Sequence, residues 1–157
     1  MEEERGMCGQ DKRSATGTVA VSPQVVSTGP GSPADVRQAV RRALARRPGG
    51  RTRDDDEAVG DALLVASELV TNAMLHGGGV TAFEVTPTER EVHLSVSDRS
   101  DQLPVPVRQI DGVGRLRAGG HGWMIVCTLA SDVVISNLRT GGKRITAVVP
   151  LPPGASN

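Results

Sequence analysis

One amphipathic segment, LLVASELVTNAMLH at residues 63–76, constrains the fold more than any other part of the chain. Projected on a helix at about 100° per residue, its apolar side chains form one broad stripe. The opposite side carries Glu68, Asn72 and His76 at positions i, i+4 and i+8. We expect a core helix with a polar side, although most such polar lines are only a solvated face. The predicted stripe consists of Val59, Ala62, Leu63, Ala66, Leu69, Val70 and Ala73.

The charge balance and the scarcity of aromatic residues argue against a nucleic-acid-binding role. The 157 residues, 38% of them hydrophobic, suit one domain with a single core. Eighteen Lys and Arg balance eighteen Asp and Glu, so no global field attracts the protein to nucleic acid or to an acidic membrane. One Trp, one Phe and no Tyr leave few platforms for stacking bases.

The apolar segments and the two cysteines indicate the cellular compartment in which the protein is expected. No apolar run approaches the ~20 residues of a membrane span, and the N-terminal residues lack the apolar segment of a secretory signal. Cys8 lies in a polar segment and Cys127 in an apolar one, so we expect no disulfide and a reducing environment. These features predict a cytoplasmic protein without a membrane segment.

The chain is predicted to hold one domain between two tails. Residues 1–17 are charged and rich in Gly and Ser, which is typical of a disordered tail. The domain is expected over residues 18–152, followed by a short tail over 153–157. A first strand is expected at residues 18–22, with an extension to Val26 left open.

A first helix is signalled by Ser32 as the N-cap, Pro33 at the first helical position and Asp35 as the capping-box acid. Its apolar residues recur at helical spacing until Pro48. Its other face is either a solvated surface, the favoured interpretation, or a docking surface for an acidic protein partner. That face carries Arg37, Arg41, Arg42, Arg46 and Arg47.

Four strands and a further helix complete the predicted layout. Alternating apolar and polar residues predict a hairpin after the glycines that follow His76, and another hairpin near the C-terminus. A long irregular connection and the glycine-rich GGHG lead into the apolar helix WMIVCTLA. The order predicts a two-layer α/β sandwich, with a mixed, mainly antiparallel sheet and helices on one face. The strands are expected at residues 80–86, 91–97, 132–137 and 144–149.

Three segments, ELVTNAMLH, SVSD and GGHGWMIVCTLA, resemble in order and spacing the N, G1 and G2 boxes of the histidine-kinase-like ATPase superfamily, which has a Bergerat-type fold. Among its branches the chain is most similar to the small bacterial anti-sigma-factor serine kinases of the sporulation and stress-response type. The resemblance covers residues 18–152. It implies ATP and Mg²⁺ as cofactors, a protein serine kinase acting on an anti-sigma antagonist, a sigma factor as partner, and a homodimer.

The resemblance also implies a role for each matching residue. Asn72 matches the magnesium ligand, Glu68 the acid that accepts a proton from the attacking hydroxyl, and Asp98 the carboxylate that accepts a hydrogen bond from adenine. Glycines before the third helix lack a Cβ, so their N–H groups can approach phosphates, although a flexible hinge gives the same pattern. The residues expected at the nucleotide are Asn72, His76, Asp98, Ser100, Arg115, Arg117, Gly119, Gly120, His121, Gly122, Trp123 and Thr146.

The sequence departs from these relatives where adenine is recognised. The usual Asp-x-Gly-x-Gly reads Asp98-Arg99-Ser100-Asp101-Gln102, so both glycines are absent. Arg144 is taken to stand where many relatives carry a threonine that helps to hold adenine, with Thr146 as the nearest substitute. These changes predict weak nucleotide binding or an altered purine preference. They keep open a second function, a non-catalytic regulatory protein that acts only through protein contacts.

Overall fold

A computed structural model of the chain describes residues 3–5, 24–27, 32–47, 53–104 and 122–153, with backbone only for 3–5, 24–27 and 53–55. Three helices and six strands lie within these ranges. In chain order they are β1 (Glu3–Arg5), β2 (Gln24–Ser27), α1 (Pro33–Ala45), α2 (Arg53–His76), β3 (Val80–Pro87), β4 (Glu91–Asp98), α3 (Gly122–Leu129), β5 (Asp132–Asn137) and β6 (Lys143–Pro150).

The strands form one sheet in the order β1-β5-β6-β4-β3-β2, and every described pair is antiparallel. Alternate side chains of β4, Val92, Leu94 and Val96, are buried, because successive residues of a strand point to opposite faces. α1 and α2 pack on the sheet, and α3 packs against α2. The α+β class and the mainly antiparallel sheet are therefore confirmed.

The start of α1 is stabilised by the predicted capping box. The Asp35 backbone N–H donates to Ser32 Oγ, the Ser32 N–H donates to the Asp35 carboxylate, and Pro33 occupies the first turn. The helix ends at Ala45, before Pro48, as the sequence predicts. The arginine row divides: Arg37, Arg41, Arg42 and Arg46 are exposed. Arg47 is half-buried and donates to the backbone carbonyls of Glu89 and Pro152, so it ties α1 to other parts of the fold.

The predicted apolar stripe of α2 is buried in the core, with Val59 and Leu63 at its edge. Asp56–His76 has a mean hydropathy of 1.4 and is, by length and composition alone, apolar enough to cross a membrane. That differs from the expectation that no segment has this character. Ala62, Ala66 and Val70 are fully buried against the rest of the fold, and a core helix passes the same test.

The N-terminal region differs from expectation in one respect. Glu3–Arg5, part of the predicted disordered tail, pairs with β5 at the edge of the sheet. The first part of the expected strand, 18–22, lies outside the described residues, and the strand that is described is β2. Cys127 is disulfide-bonded, against the prediction of no disulfide, while Cys8 lies outside the described residues. Pairing of β1 with β5 brings the beginning of the chain beside the segment that follows α3, which local sequence patterns do not encode.

Candidate functional site

The polar side of α2 meets the first residue of α3. A Cβ built on Gly122 would overlap Oε2 of Glu68 and would lie 3.2 Å from its Cδ. Glu68 is half-buried, and its carboxylate therefore rests directly on the Gly122 backbone. Only a glycine leaves room for this contact.

Asn72 lies one helical turn beyond Glu68, about 6 Å further along the α2 axis. It is half-buried like Glu68. Neither the Asn72 amide nor the Glu68 carboxylate has a hydrogen-bond partner in the part of the chain that the structure describes. Asn72 and Gly122 consequently lie on the same side of the molecule. The side chains of Glu68 and Asn72 can still form hydrogen bonds or metal contacts to a ligand.

The far end of the same helix is fixed to the end of β4. A Cβ on Gly77 would lie 2.6 Å from Cγ of Asp98, so the Asp98 carboxylate packs on the Gly77 backbone. The Arg99 N–H donates to the Gly77 carbonyl at 2.9 Å. Gly77 follows Glu68 by nine residues, about 13 Å at the helical rise. α2 therefore borders both ends of the predicted site, with Glu68 and Asn72 towards one end and Asp98 at the other.

Asp98 is paired with Lys143, a residue that the sequence analysis did not single out. The two face each other in the register of β4 and β6. Lys143 Nζ lies 2.9 Å from Oδ2 and 3.0 Å from Oδ1 of Asp98, and it also donates to the Ser100 carbonyl at 3.3 Å. Asp98 is 3% exposed and Lys143 is 4% exposed, so this is a buried ion pair.

Strand alternation could have identified Lys143. Ile145, Ala147 and Val149 follow it at every second position and are buried on the helix-covered face of the sheet. Lys143 has the same parity, so its ammonium group must lie on that face beside Asp98. The residue of β6 that faces the Asp98 carboxylate is thus Lys143 and not Arg144.

Arg144 and Thr146 lie on the opposite face of β6. Thr146 Oγ1 is hydrogen-bonded to Ser95 Oγ at 2.8 Å. Arg144 lies 3.8 Å from a carboxylate oxygen of Glu84 and donates to Ser97 Oγ at 3.4 Å. The structure does not bring Thr146 together with Asp98, and the expectation that it substitutes for the adenine-holding threonine has no support in this geometry.

The segment Asp98–Gln102, which lacks the two glycines of the usual G1 motif, is held by hydrogen bonds from side chains to the backbone. The Ser100 N–H donates to Asp98 Oδ1 at 2.9 Å, and the Gln102 N–H donates to Ser100 Oγ at 3.1 Å. Such bonds from a side chain to a backbone group two residues on define Asx and serine turns. Asp101 Oδ1 accepts the Gly142 N–H at 2.9 Å, which joins the segment to the β5–β6 turn. The altered sequence therefore forms a supported turn around Asp98.

The other predicted site residues are placed less favourably or fall outside the described ranges. His76 is exposed at the last position of α2. Trp123 is buried in the core, where its Nε1–H has no hydrogen-bond partner among the described groups. Most of the long irregular connection before GGHG, residues 105–118, lies outside the described residues, as do Arg115, Arg117, Gly119, Gly120 and His121.

The antiparallel sheet covered by helices defines an α+β domain, in which Glu68 of α2 contacts Gly122 and Asp98 of β4 contacts Gly77 just after α2. The chain belongs to the family of histidine kinase-like ATPase domains, because the model of that family matches residues 29–149. No protein of curated function matches the chain. Family membership implies nucleotide binding, typically with Mg²⁺.

The two ends of the site fit a magnesium nucleotide unequally. Glu68 and Asn72 carry side-chain oxygens that have no partner among the described residues, and they lie near a glycine, which suits a cation and phosphates. The described residues contain no group of three or more His, Cys, Asp or Glu able to hold a metal by itself. Mg²⁺ commonly takes only one or two protein oxygens together with phosphates and water, so Asn72 is compatible with it. At the other end, Asp98 is already paired.

Proposed function

We propose that this protein is a regulator of the anti-sigma type, which binds MgATP, phosphorylates a serine of a small antagonist protein and binds a sigma factor. The observation that supports the kinase activity is the placement of Glu68 and Asn72, one turn apart beside Gly122 and without described partners. A carboxylate can accept the proton of the attacking hydroxyl, an amide oxygen can bind the metal ion, and a glycine backbone can approach the phosphates, which are tasks that recur in phosphoryl transfer.

Each of these groups has a distinct task in the proposed reaction. Asn72 would offer its amide oxygen to Mg²⁺, and the Gly122 backbone at the start of α3 would approach the phosphates. Glu68 would accept the proton of the serine hydroxyl as its oxygen attacks, which requires the carboxylate to be ionised. Bound MgATP would supply the γ-phosphoryl group, and ADP would be the leaving group.

The charge of α1 supports an acidic protein as the partner. The exposed side chains of Arg37, Arg41, Arg42 and Arg46 give one face of α1 a positive charge that suits an acidic protein. A homodimer, a cytoplasmic location and the absence of direct nucleic-acid or membrane binding remain predictions from the sequence.

A second candidate function is a non-catalytic regulatory protein that acts through protein contacts alone. The buried Lys143–Asp98 pair favours this possibility, because it engages the carboxylate that relatives use to hold adenine. A domain with weak nucleotide affinity would retain the fold and its binding surfaces.

Phosphate transfer separates the two candidates. The purified protein is incubated with MgATP labelled in the γ-phosphate and with a candidate antagonist encoded in the same genome, and phosphoserine is located by mass spectrometry. We expect transfer by the native protein, loss of transfer with Glu68→Gln, and full transfer with Glu57→Gln, which changes an exposed carboxylate of the same helix. Nucleotide binding without transfer supports the non-catalytic candidate. Absence of nucleotide binding contradicts the kinase proposal.

A further inference from the structure

We infer that Lys143 has taken over the role of a base amine as the partner of Asp98, so that this site binds nucleotides without selecting adenine. The inference rests on the nucleotide binding of the proposed function. It does not depend on phosphate transfer. It concerns only Asp98, Lys143 and the turn at Ser100, all of them within the described residues.

The hydrogen-bonding capacity of the ion pair is largely used within the protein. Asp98 Oδ1 accepts from the Ser100 N–H and from Lys143 Nζ, and Oδ2 faces the same ammonium group at 2.9 Å. An ammonium group has three N–H donors. Lys143 finds three acceptors, namely the two Asp98 oxygens and the Ser100 carbonyl. The ammonium group therefore has no further N–H to donate to a nucleotide base.

Among the described residues, two glycines also pack on Asp98, one on its carboxylate and one on its backbone, and the residue is 3% exposed. Gly77 packs on Oδ2, where a Cβ would lie 2.5 Å away. Gly142, with a φ of +87°, brings the β5–β6 turn onto the Asp98 backbone, since a Cβ there would lie 3.0 Å from the Asp98 carbonyl carbon. Because the β4–β6 register sets Lys143 directly opposite Asp98, the ammonium group is held in place by the sheet itself.

Replacing Lys143 by a base amine would be unfavourable. An amine hydrogen bond to a carboxylate is a single charge-assisted bond. Moving the lysine aside would leave a buried ammonium group without its counter-ion, which is a large penalty inside a protein. A nucleotide can bind at the Glu68 and Asn72 end without paying that penalty, and the identity of its base then has little effect on affinity.

The native protein provides the first test. Calorimetric titration compares MgATP with the magnesium complex of purine riboside triphosphate, which lacks the exocyclic amine, and with MgGTP. We expect dissociation constants that agree within about threefold, less than 0.7 kcal/mol. Tighter binding of MgATP by about tenfold or more would overturn the inference, because it would show that the amine is read.

The variant Lys143→Thr provides the second test. Freeing Asp98 should increase the preference for MgATP over purine riboside triphosphate by about tenfold or more. Arg144→Thr is the matched control, since Arg144 lies on the other face of the same strand, and it should leave the preference unchanged. A folded Lys143→Thr protein with unchanged preference would overturn the inference. If the variant does not fold, the comparison in the native protein decides.

The outcomes also separate this inference from the proposed function. Equal binding of all three nucleotides without transfer to serine would support the inference and contradict the kinase activity. Transfer to serine combined with a tenfold preference for MgATP would support the kinase activity and contradict the inference. Absence of binding by both the native protein and a folded Lys143→Thr variant would contradict both.

Discussion

The carboxylate of Asp98 remains buried because a lysine from the neighbouring strand neutralises it. Removing one member of a buried pair leaves an uncompensated charge, which typically costs about 3–5 kcal/mol. We expect Lys143→Ala to lower the free energy of unfolding by about this amount in urea titration. Arg144→Ala, which removes a cation 42% exposed and 3.8 Å from Glu84, should cost less than about 1 kcal/mol. Equal losses in the two variants would contradict a special role for Lys143.

Gly122 is the second residue whose identity follows from one contact. A methyl group there would overlap Glu68 Oε2, the end of a flexible side chain, so Gly122→Ala should fold but displace the carboxylate. Misplacing a catalytic group by about 1 Å can cost around 100-fold in rate. We expect phosphate transfer to fall to that extent while the melting temperature changes little. Unchanged transfer would show that the position of Glu68 is irrelevant to the reaction.

Single residues were predictable where a periodic pattern or a motif pointed to them. The polar line on α2 and the glycines at the start of α3 singled out Glu68, Asn72 and Gly122, and the structure places Glu68 in contact with Gly122; their roles at a nucleotide stay predictions. Lys143 was missed because a charged residue at a strand terminus is usually assigned to solvent. Its pairing depends on a strand register that only the folded sheet defines.

At the scale of elements, the stability of α1 depends on its first turn. Ser32→Ala removes the acceptor for the Asp35 N–H, and loss of such a cap costs about 1 kcal/mol. We expect this decrease in the free energy of unfolding, measured in urea. Gln38→Ala, at an exposed position within the same helix, serves as the control and should change stability by less than about 0.5 kcal/mol. An unchanged free energy of unfolding in Ser32→Ala would show that the capping box does not stabilise the helix.

Replacing two glycines by alanine should change stability in opposite directions. A Cβ on Gly60, exposed within α2, meets nothing within 4 Å. Gly60→Ala should therefore raise the free energy of unfolding by about 0.5–1 kcal/mol through helix propensity. Gly142→Ala should lower it, because its φ of +87° and its contact with the Asp98 backbone exclude a side chain. Thermal unfolding of both variants tests the pair, and a shift in the same direction would contradict it.

The bounds of most elements follow from local patterns. β4 and β5 match the predicted residues within one position, because each strand has one buried face and so alternates cleanly. β1 carries no such pattern, and it forms only by pairing with β5, more than a hundred residues away in sequence. The disulfide at Cys127, in α3, was not predicted either, because a disulfide depends on which chain segments meet in the folded protein.

For the whole molecule, the layer order explains why one helix governs the site. α2 buries its apolar stripe between the sheet and the neighbouring helices, so its remaining polar side is rigidly directed at the start of α3 and at the end of β4. The fold class was predictable because helix and strand patterns follow one another in a recognisable order. The two unequal ends of the site were not predictable, because their difference lies in side-chain pairing across the sheet.

The most direct test is calorimetric titration of MgATP into the native protein, Asn72→Ala and Ser67→Ala. Ser67 lies on the same helix, and its hydroxyl is already bonded to the Leu63 carbonyl, so its removal should not affect a ligand. We predict measurable binding by the native protein and by Ser67→Ala, and binding weaker by about tenfold or more, over 1.4 kcal/mol, in Asn72→Ala. Equal binding by all three proteins, or no heat at millimolar nucleotide, would contradict a magnesium triphosphate site on the polar side of α2.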